Sequence, residues 1–86
     1  MDINQLIAIV KKKLKTQIQL EDIKIEDKSF IHKNHPGNQS NKYHLKIYIK
    51  SFELKKMTKI DSNKKIYKIL QNELKEFIHS IQILIS

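Results

Sequence analysis

Residues 64–81, KKIYKILQNELKEFIHSI, decide the fold of this chain. The apolar residues of this segment recur at steps that place them on one side of an α-helix; they are Ile66, Ile69, Leu70, Leu74, Phe77 and Ile78. This stripe predicts a helix that packs one face against a core. The alternating residues Ile81, Ile83 and Ile85 that follow predict a β-strand.

His79 follows the last residue of the apolar stripe, so it is expected at the end of the helix or one residue past it. A neutral imidazole in such a place can be a structural side chain or a metal ligand. His32, His35 and His44 complete the histidines of the chain, and their spacing matches no familiar zinc motif. Spacing alone therefore favours the structural interpretation, and the metal-binding interpretation stays open.

Length and composition indicate one small domain over residues 1–86. The 40% hydrophobic content is sufficient for a small core without a metal or a disulfide. The absence of cysteine excludes disulfides, thiol catalysis and a cysteine-ligated metal site built by this chain alone. The apolar runs are short and interrupted by lysine, and the N-terminal residues do not resemble a signal peptide. We therefore expect a cytoplasmic protein with no membrane association.

The formal net charge is +8, from 17 basic and 9 acidic residues, and every basic residue is lysine. A basic surface favours a polyanionic partner such as nucleic acid. The excess of lysine, isoleucine and asparagine is equally typical of an AT-rich genome. Lysine also lacks the forked guanidinium that reads phosphate and guanine. Both explanations of the charge remain open.

The periodicities predict an α-β-β-α-β order. Before the main helix, the predicted elements are a helix over 3–15 capped by Asp2, a strand within 20–31, a strand over 42–50 and a short helical turn near 57–60. The main helix lies within 64–81, is capped by Asp61 or Ser62 and ends at His79 or one residue before it, and a final strand runs from Ile81. The first two strands should pair antiparallel across the loop that contains Pro36 and Gly37. The main helix makes a crossover, so the second and third strands should be parallel. The fold class is α+β, with a three-stranded mixed sheet and helices on one face.

The distribution of acidic residues argues against an enzyme. The sequence contains no nucleophile elbow, phosphate-binding glycine loop or zinc-protease helix motif. Acidic residues such as Glu73 and Glu76 lie among lysines of the main helix, where we expect both to be solvated.

A cluster of lysines precedes and begins the main helix, and Asp61 is the one acid among them. Helix N-termini attract anions, so this surface predicts phosphate contacts that tolerate any base sequence. The candidate nucleic-acid-binding residues are Lys55, Lys56, Lys59, Lys64, Lys65 and Lys68. The G-x-x-G loop of KH domains is absent.

An ordered set of short motifs resembles the BolA-like family over residues 3–85. Residues 27–32, DKSFIH, resemble D-E-S-x-x-H; Pro36-Gly37 resembles P-x-G; residues 44–47, HLKI, resemble H-F-x-V. Ile66-Tyr67 resembles the family's I-Y, and residues 78–81, IHSI, resemble V-H-A-L. The resemblance implies a fold similar to class II KH domains.

The resemblance also implies a partner and a cofactor. BolA-like proteins pair with monothiol glutaredoxins and hold a 2Fe–2S cluster in iron–sulfur trafficking or iron homeostasis. The histidine at the helix end corresponds to His79, and the loop ligand corresponds to His32, with His35 as an alternative. The glutaredoxin cysteine and glutathione supply the remaining ligands. The isolated chain is then expected to be a monomer without a cofactor.

Some BolA-like proteins are DNA-binding transcriptional regulators, which leaves DNA as a second partner. Here the sequence departs from the family, because residues 62–64, SNK, replace an arginine-rich R-H-R or R-H-K. Residues 54–56, LKK, replace the usual F-x-G, and the loop before His44 is longer than usual. A protein–protein adaptor that binds no metal is the third alternative.

Overall fold

The computed structural model describes residues 2–29 and 42–86, and it confirms the α+β architecture. The elements are α1 (Ile3–Gln17), β1 (Asp22–Asp27), β2 (Tyr43–Lys50), α2 (Phe52–Lys55), α3 (Lys59–Ile69), α4 (Gln71–Glu76) and β3 (Ile78–Ile85). The predicted Pro36-Gly37 turn and the loop histidines His32 and His35 lie outside the described residues. Within the described ranges, no helix has the length and apolar character needed to cross a membrane.

The three strands form one mixed sheet in the order β1-β2-β3. β1 and β2 are antiparallel, with Ile25 opposite Ile47, and β2 and β3 are parallel, with Ile47 opposite Ile83. Both pairings confirm the sequence prediction. The isoleucines of the central strand are buried against the helices, while alternate residues of each strand form a polar face on the other side of the sheet.

Helix α1 begins as the sequence predicts. The Oδ1 atom of Asp2 accepts the backbone N–H of Gln5 at 2.8 Å, and the Oε1 atom of Gln5 accepts the N–H of Asp2 at 3.1 Å. This reciprocal capping box satisfies two amide groups that a helix start leaves unpaired. The buried face of α1 consists of Leu6, Val10 and Leu14, at the spacing of one helical stripe.

The predicted main helix differs from the observed one in its start. Helix α3 begins at Lys59, because the Oγ1 atom of Thr58 accepts the N–H of Asp61 at 3.0 Å and caps the helix. Asp61 and Ser62, which the sequence suggested as caps, therefore lie within the first turn and a half. The preceding short helix is α2, capped by the Ser51 side chain, rather than a turn around residues 57–60.

The main helix is also divided in two at Leu70. This residue has φ −98° and ψ 15°, which ends α3, and α4 starts at the next residue. The side chain of Leu70 is fully buried, so the break between the two helices lies against the core. The last strand then begins at Ile78, earlier than the Ile81 expected from the alternating pattern.

The hydrophobic core joins all three strands to the helices. Of the stripe residues, Ile66, Leu70 and Ile78 are buried, while Ile69, Leu74 and Phe77 are half-buried at the margin of the core. Ile47 of the central strand, which was expected to be buried with the stripe, is fully buried. The buried apolar residues are Leu6, Val10, Leu14, Ile18, Ile23, Leu45, Ile47, Ile49, Leu54, Ile66, Leu70 and Ile78.

The prediction that Glu73 is solvated is wrong. Glu73 is buried, and its Oε2 atom lies 2.7 Å from the Nζ atom of Lys13 on α1. A carboxylate can be buried when a counter-charge and hydrogen bonds accompany it, and Lys13 supplies both. Glu76 is exposed, as expected. The Lys13–Glu73 pair therefore ties α1 to α4 beside the core.

Truncation of Leu70 tests whether the apolar stripe of the main helix is buried in the core. We expect Leu70→Ala to lower the free energy of unfolding by roughly 2–5 kcal/mol, because a fully buried leucine leaves a cavity behind. Urea unfolding followed by far-ultraviolet circular dichroism measures this change. Leu84→Ala is the matched control, since Leu84 is 40% exposed. Equal losses for the two variants would contradict the burial of the stripe.

Candidate functional site

His79 lies at a bulge in the parallel pairing of β2 and β3. Tyr43 is opposite Ile78, and the next residue of β2, His44, is opposite Ser80. His79 is therefore the extra residue between two successive pairs. The bulge keeps Ile78 in the core and places Ser80 on the polar face of the sheet. His79 is exposed in the strand itself, whereas the sequence pattern placed it at or next to the helix end.

His44 is the neighbour that the sequence analysis did not select. Its side chain is 5% exposed, and its ring centroid lies 4.9 Å from that of His79, with 58° between the ring planes. The Nδ1 atom of His44 forms a 2.6 Å hydrogen bond with the Oγ atom of Ser80. The signal that could have found it is the parallel crossover itself, which brings the start of β2 beside the start of β3.

The backbone of His44 is held by residues 27–29. Its N–H donates to the Oγ atom of Ser29 at 3.1 Å, and its carbonyl accepts the N–H of Lys28 at 2.7 Å. The Oδ1 atom of Asp27 in turn accepts the N–H of Ser29 at 2.9 Å. The Asp-x-Ser motif thus anchors the end of β1 to the start of β2. The segment with His32 and His35 starts directly after this anchor, outside the described residues.

The described residues offer one exposed imidazole to a metal, that of His79. Residues 2–29 and 42–86 contain no group of three or more histidine, aspartate or glutamate side chains close enough to hold a metal ion. A metal bound at His79 therefore needs ligands from the segment 30–41 or from a second molecule.

The six candidate lysines lie around α2 and the start of α3, but they are not equivalent. Lys55, Lys56 and Lys59 are exposed, and Lys64 and Lys68 are exposed one turn apart on α3. Lys55 and Lys59 line a cavity of about 360 Å³ whose other wall is the C-terminal half of β3. Five of the six lysines are therefore exposed, and two of them, Lys55 and Lys59, line the same cavity.

Lys65 is the exception, because its Nζ atom lies 2.7 Å from the Oε2 atom of Glu53. The sequence analysis named Asp61 as the one acid among these lysines and overlooked Glu53, a residue of α2 that contacts Lys65 of α3. The hydrogen bond from Lys65, followed by one from the backbone N–H of Gln19, holds the pKa of Glu53 below its usual value. Lys65 is thus partly neutralised within the fold.

The Lys65–Glu53 contact predicts a pKa change. A lowered carboxyl pKa means that the contact stabilises the fold above the ordinary pKa of glutamate and is lost as pH falls through the lowered value. We expect Lys65→Gln to raise the pKa of Glu53 towards the ordinary value. Carbon-13 NMR titration of the carboxyl groups measures it, with Lys64→Gln as the control. The same pKa in both variants would rule out Lys65 as the cause.

Comparison with known proteins identifies relatives of this chain. Residues 14–86 match the family model described as BolA-like protein. The "DNA-binding transcriptional regulator BolA" of Haemophilus influenzae is 29% identical over 75 residues, which cover 87% of this chain and 70% of that protein.

Solved structures show the same fold. The BolA domain of SufE1 from Arabidopsis thaliana superposes with a TM-score of 0.79 at 22% identity, covering 100% of this chain and 93% of that one. BolA1 from Arabidopsis thaliana superposes with a TM-score of 0.75 at 23% identity, covering 92% of this chain and 87% of that one. At these identities the likeness concerns the fold alone.

Proposed function

This chain belongs to the BolA-like family, whose model matches residues 14–86, and we propose that it pairs with a monothiol glutaredoxin to bind a bridging 2Fe–2S cluster. In this role it is a cytoplasmic, non-enzymatic protein of iron–sulfur cluster trafficking or iron homeostasis. The cluster belongs to the mixed complex, and the isolated chain carries none.

The observation that supports this proposal is the placement of His79. Its imidazole is exposed, while its backbone belongs to a strand and its ring contacts the buried ring of His44. A ligand held in this way loses less conformational entropy on binding than a side chain on a free loop. His79 is therefore proposed as the dominant ligand of this chain.

The composition of the chain supports a shared cluster. A 2Fe–2S cluster takes four terminal ligands, which are usually cysteine thiolates, and this chain has no cysteine. We assign two positions to imidazoles of this chain, His79 and His32, with His35 able to replace His32. The glutaredoxin cysteine and glutathione supply the other two. Imidazole ligands on one iron raise the reduction potential of such clusters.

Removal of the His79 imidazole tests the proposal. We expect His79→Ala to abolish the bridged cluster, because the dominant ligand is lost, and to leave the fold intact, because the side chain is exposed. Visible circular dichroism of the complex reconstituted with a monothiol glutaredoxin measures the cluster. Gln82→Ala, an exposed substitution on the same strand, is the control.

The same experiment ranks the loop histidines. His32→Ala should leave a weaker cluster with an altered spectrum, and only the double variant at His32 and His35 should match the loss seen for His79→Ala. An unchanged spectrum for His79→Ala would refute the ligand assignment and favour the adaptor that binds no metal.

Nucleic-acid binding is the second candidate function, supported by the lysine surface and by the printed name of the Haemophilus influenzae relative. The exposed lysines would contact phosphates and position the chain without reading bases. Lys55, Lys56, Lys59, Lys64 and Lys68 carry this proposal, and Lys65 contributes less because Glu53 pairs with it.

Charge reversal on α3 tests this function. We expect Lys64→Glu with Lys68→Glu to weaken binding to all DNA sequences alike and to flatten the dependence of affinity on salt, because phosphate contacts release counterions. Fluorescence anisotropy across a salt series measures both effects. Lys24→Glu with Lys50→Glu makes the same change in charge on exposed positions of the sheet. Equal losses for the two double variants would indicate non-specific attraction to the whole chain.

A further inference from the structure

We propose that His44 and Ser80 form a positioning pair for His79, in which their hydrogen bond fixes the bulge and the buried ring of His44 supports the ring of His79. The proposal concerns how the fold holds the His79 side chain. It rests on the proposed function only for the identity of the metal group that His79 binds. His44 itself is a positioning residue and does not contact the metal.

The bulge needs such a fixing contact because it interrupts the strand pairing at His79. An extra residue in a ladder locally disrupts the backbone hydrogen bonds, and the strand can then adjust at that point. Ser80 is the first residue of β3 to resume the regular register, and its partner across the ladder is His44. The 2.6 Å hydrogen bond between their side chains therefore joins β2 to β3 directly beside the interruption.

The ring contact restricts the side chain of His79. The two imidazole centroids are 4.9 Å apart, and the 58° tilt between the planes brings one ring against the other without parallel stacking. One ring is buried in the central strand and the other is exposed. A buried neighbour at this distance removes orientations that an exposed histidine would otherwise sample. Part of the side-chain entropy that His79 would lose on binding a metal is therefore already lost when the chain folds.

Burial separates the roles of the two histidines. His44 is 5% exposed, its Nδ1 atom is engaged by Ser80, and its backbone is bonded on both sides by Lys28 and Ser29. To reach a metal on a second protein, this ring would have to leave its buried position and give up the hydrogen bond to Ser80. His79 needs no such movement, which makes it the ligand and His44 its support.

The first test uses the isolated chain and needs neither iron nor a partner. We expect Ser80→Ala to move the ring-proton NMR shifts of His79 towards those of an unrestrained histidine, since the contact with the His44 ring is loosened. Ser80→Thr keeps the hydroxyl and should restore the wild-type shifts. Gln82→Ala, also an exposed residue of β3, should leave them unchanged. Identical His79 shifts in wild type and Ser80→Ala would overturn the proposal.

The second test measures the consequence for the cluster in the complex with glutaredoxin. Substituting groups that orient a metal ligand typically costs about 10- to 100-fold in affinity, so Ser80→Ala and His44→Phe should shorten cluster lifetime by a similar factor. Ser80→Thr should retain the wild-type lifetime. The role of the pair in metal binding would be overturned if Ser80→Ala moved the His79 shifts towards those of an unrestrained histidine but left the cluster lifetime unchanged.

The two tests separate the positioning pair from the proposed function. If wild type forms no cluster with glutaredoxin, the proposed function fails, and the NMR comparison still decides whether the pair holds His79. If His44→Phe does not fold, the Ser80 variants decide, because Ser80 is exposed and its truncation leaves no cavity in the core.

Discussion

The parallel pairing of β2 with β3 is the constraint on which the rest of the structure depends. Parallel neighbours cannot be joined by a tight turn, so α2, α3 and α4 carry the chain back across one face of the sheet. That return covers the isoleucines of the central strand and creates the core. It also brings the first residues of both strands to the same end of the sheet, where His44 and His79 meet.

Charge is arranged around this core in two different ways. Lys13 and Glu73 form a pair at the edge of the core, and this pair links the first helix to the last. Lys65 and Glu53 form a more exposed pair that joins α2 to α3 and withdraws one lysine from the surface. The remaining lysines of α2 and α3 stay in solvent. The exposed lysines can therefore contact a polyanion, whereas Lys13 and Lys65 are already paired with carboxylates.

Local periodicity was sufficient to predict the order of elements and both strand pairings, because apolar spacing reports directly which side of an element is buried. The same reasoning missed the break at Leu70, since a regular stripe continues through it. It assigned the helix cap to Asp61 or Ser62, although Thr58 makes the hydrogen bond. It also treated Glu73 as solvated, because its partner is distant in sequence. The Lys13–Glu73 pair is a tertiary contact that a local pattern does not contain. The Thr58 cap is local, but Thr58, Asp61 and Ser62 are all residue types that cap helices, so residue type alone does not select among them.

The candidate site was predicted in part for the same reason. His79 stands out at the boundary between helix and strand, but the exposed side of β2 gave no reason to expect a buried His44. The contact between His44 and His79 depends on the register of the parallel pair, and that register includes a bulge that no spacing rule anticipates.

The bulge also leaves position 79 outside the regular pairing of the strands. Because His79 is inserted between two successive cross-strand pairs, the strand after it keeps its isoleucines in phase with those of β2. The side chain at this position therefore contributes little to strand register or to core packing. The scaffold therefore places few demands on the side chain displayed there, and its chemistry is free to serve binding.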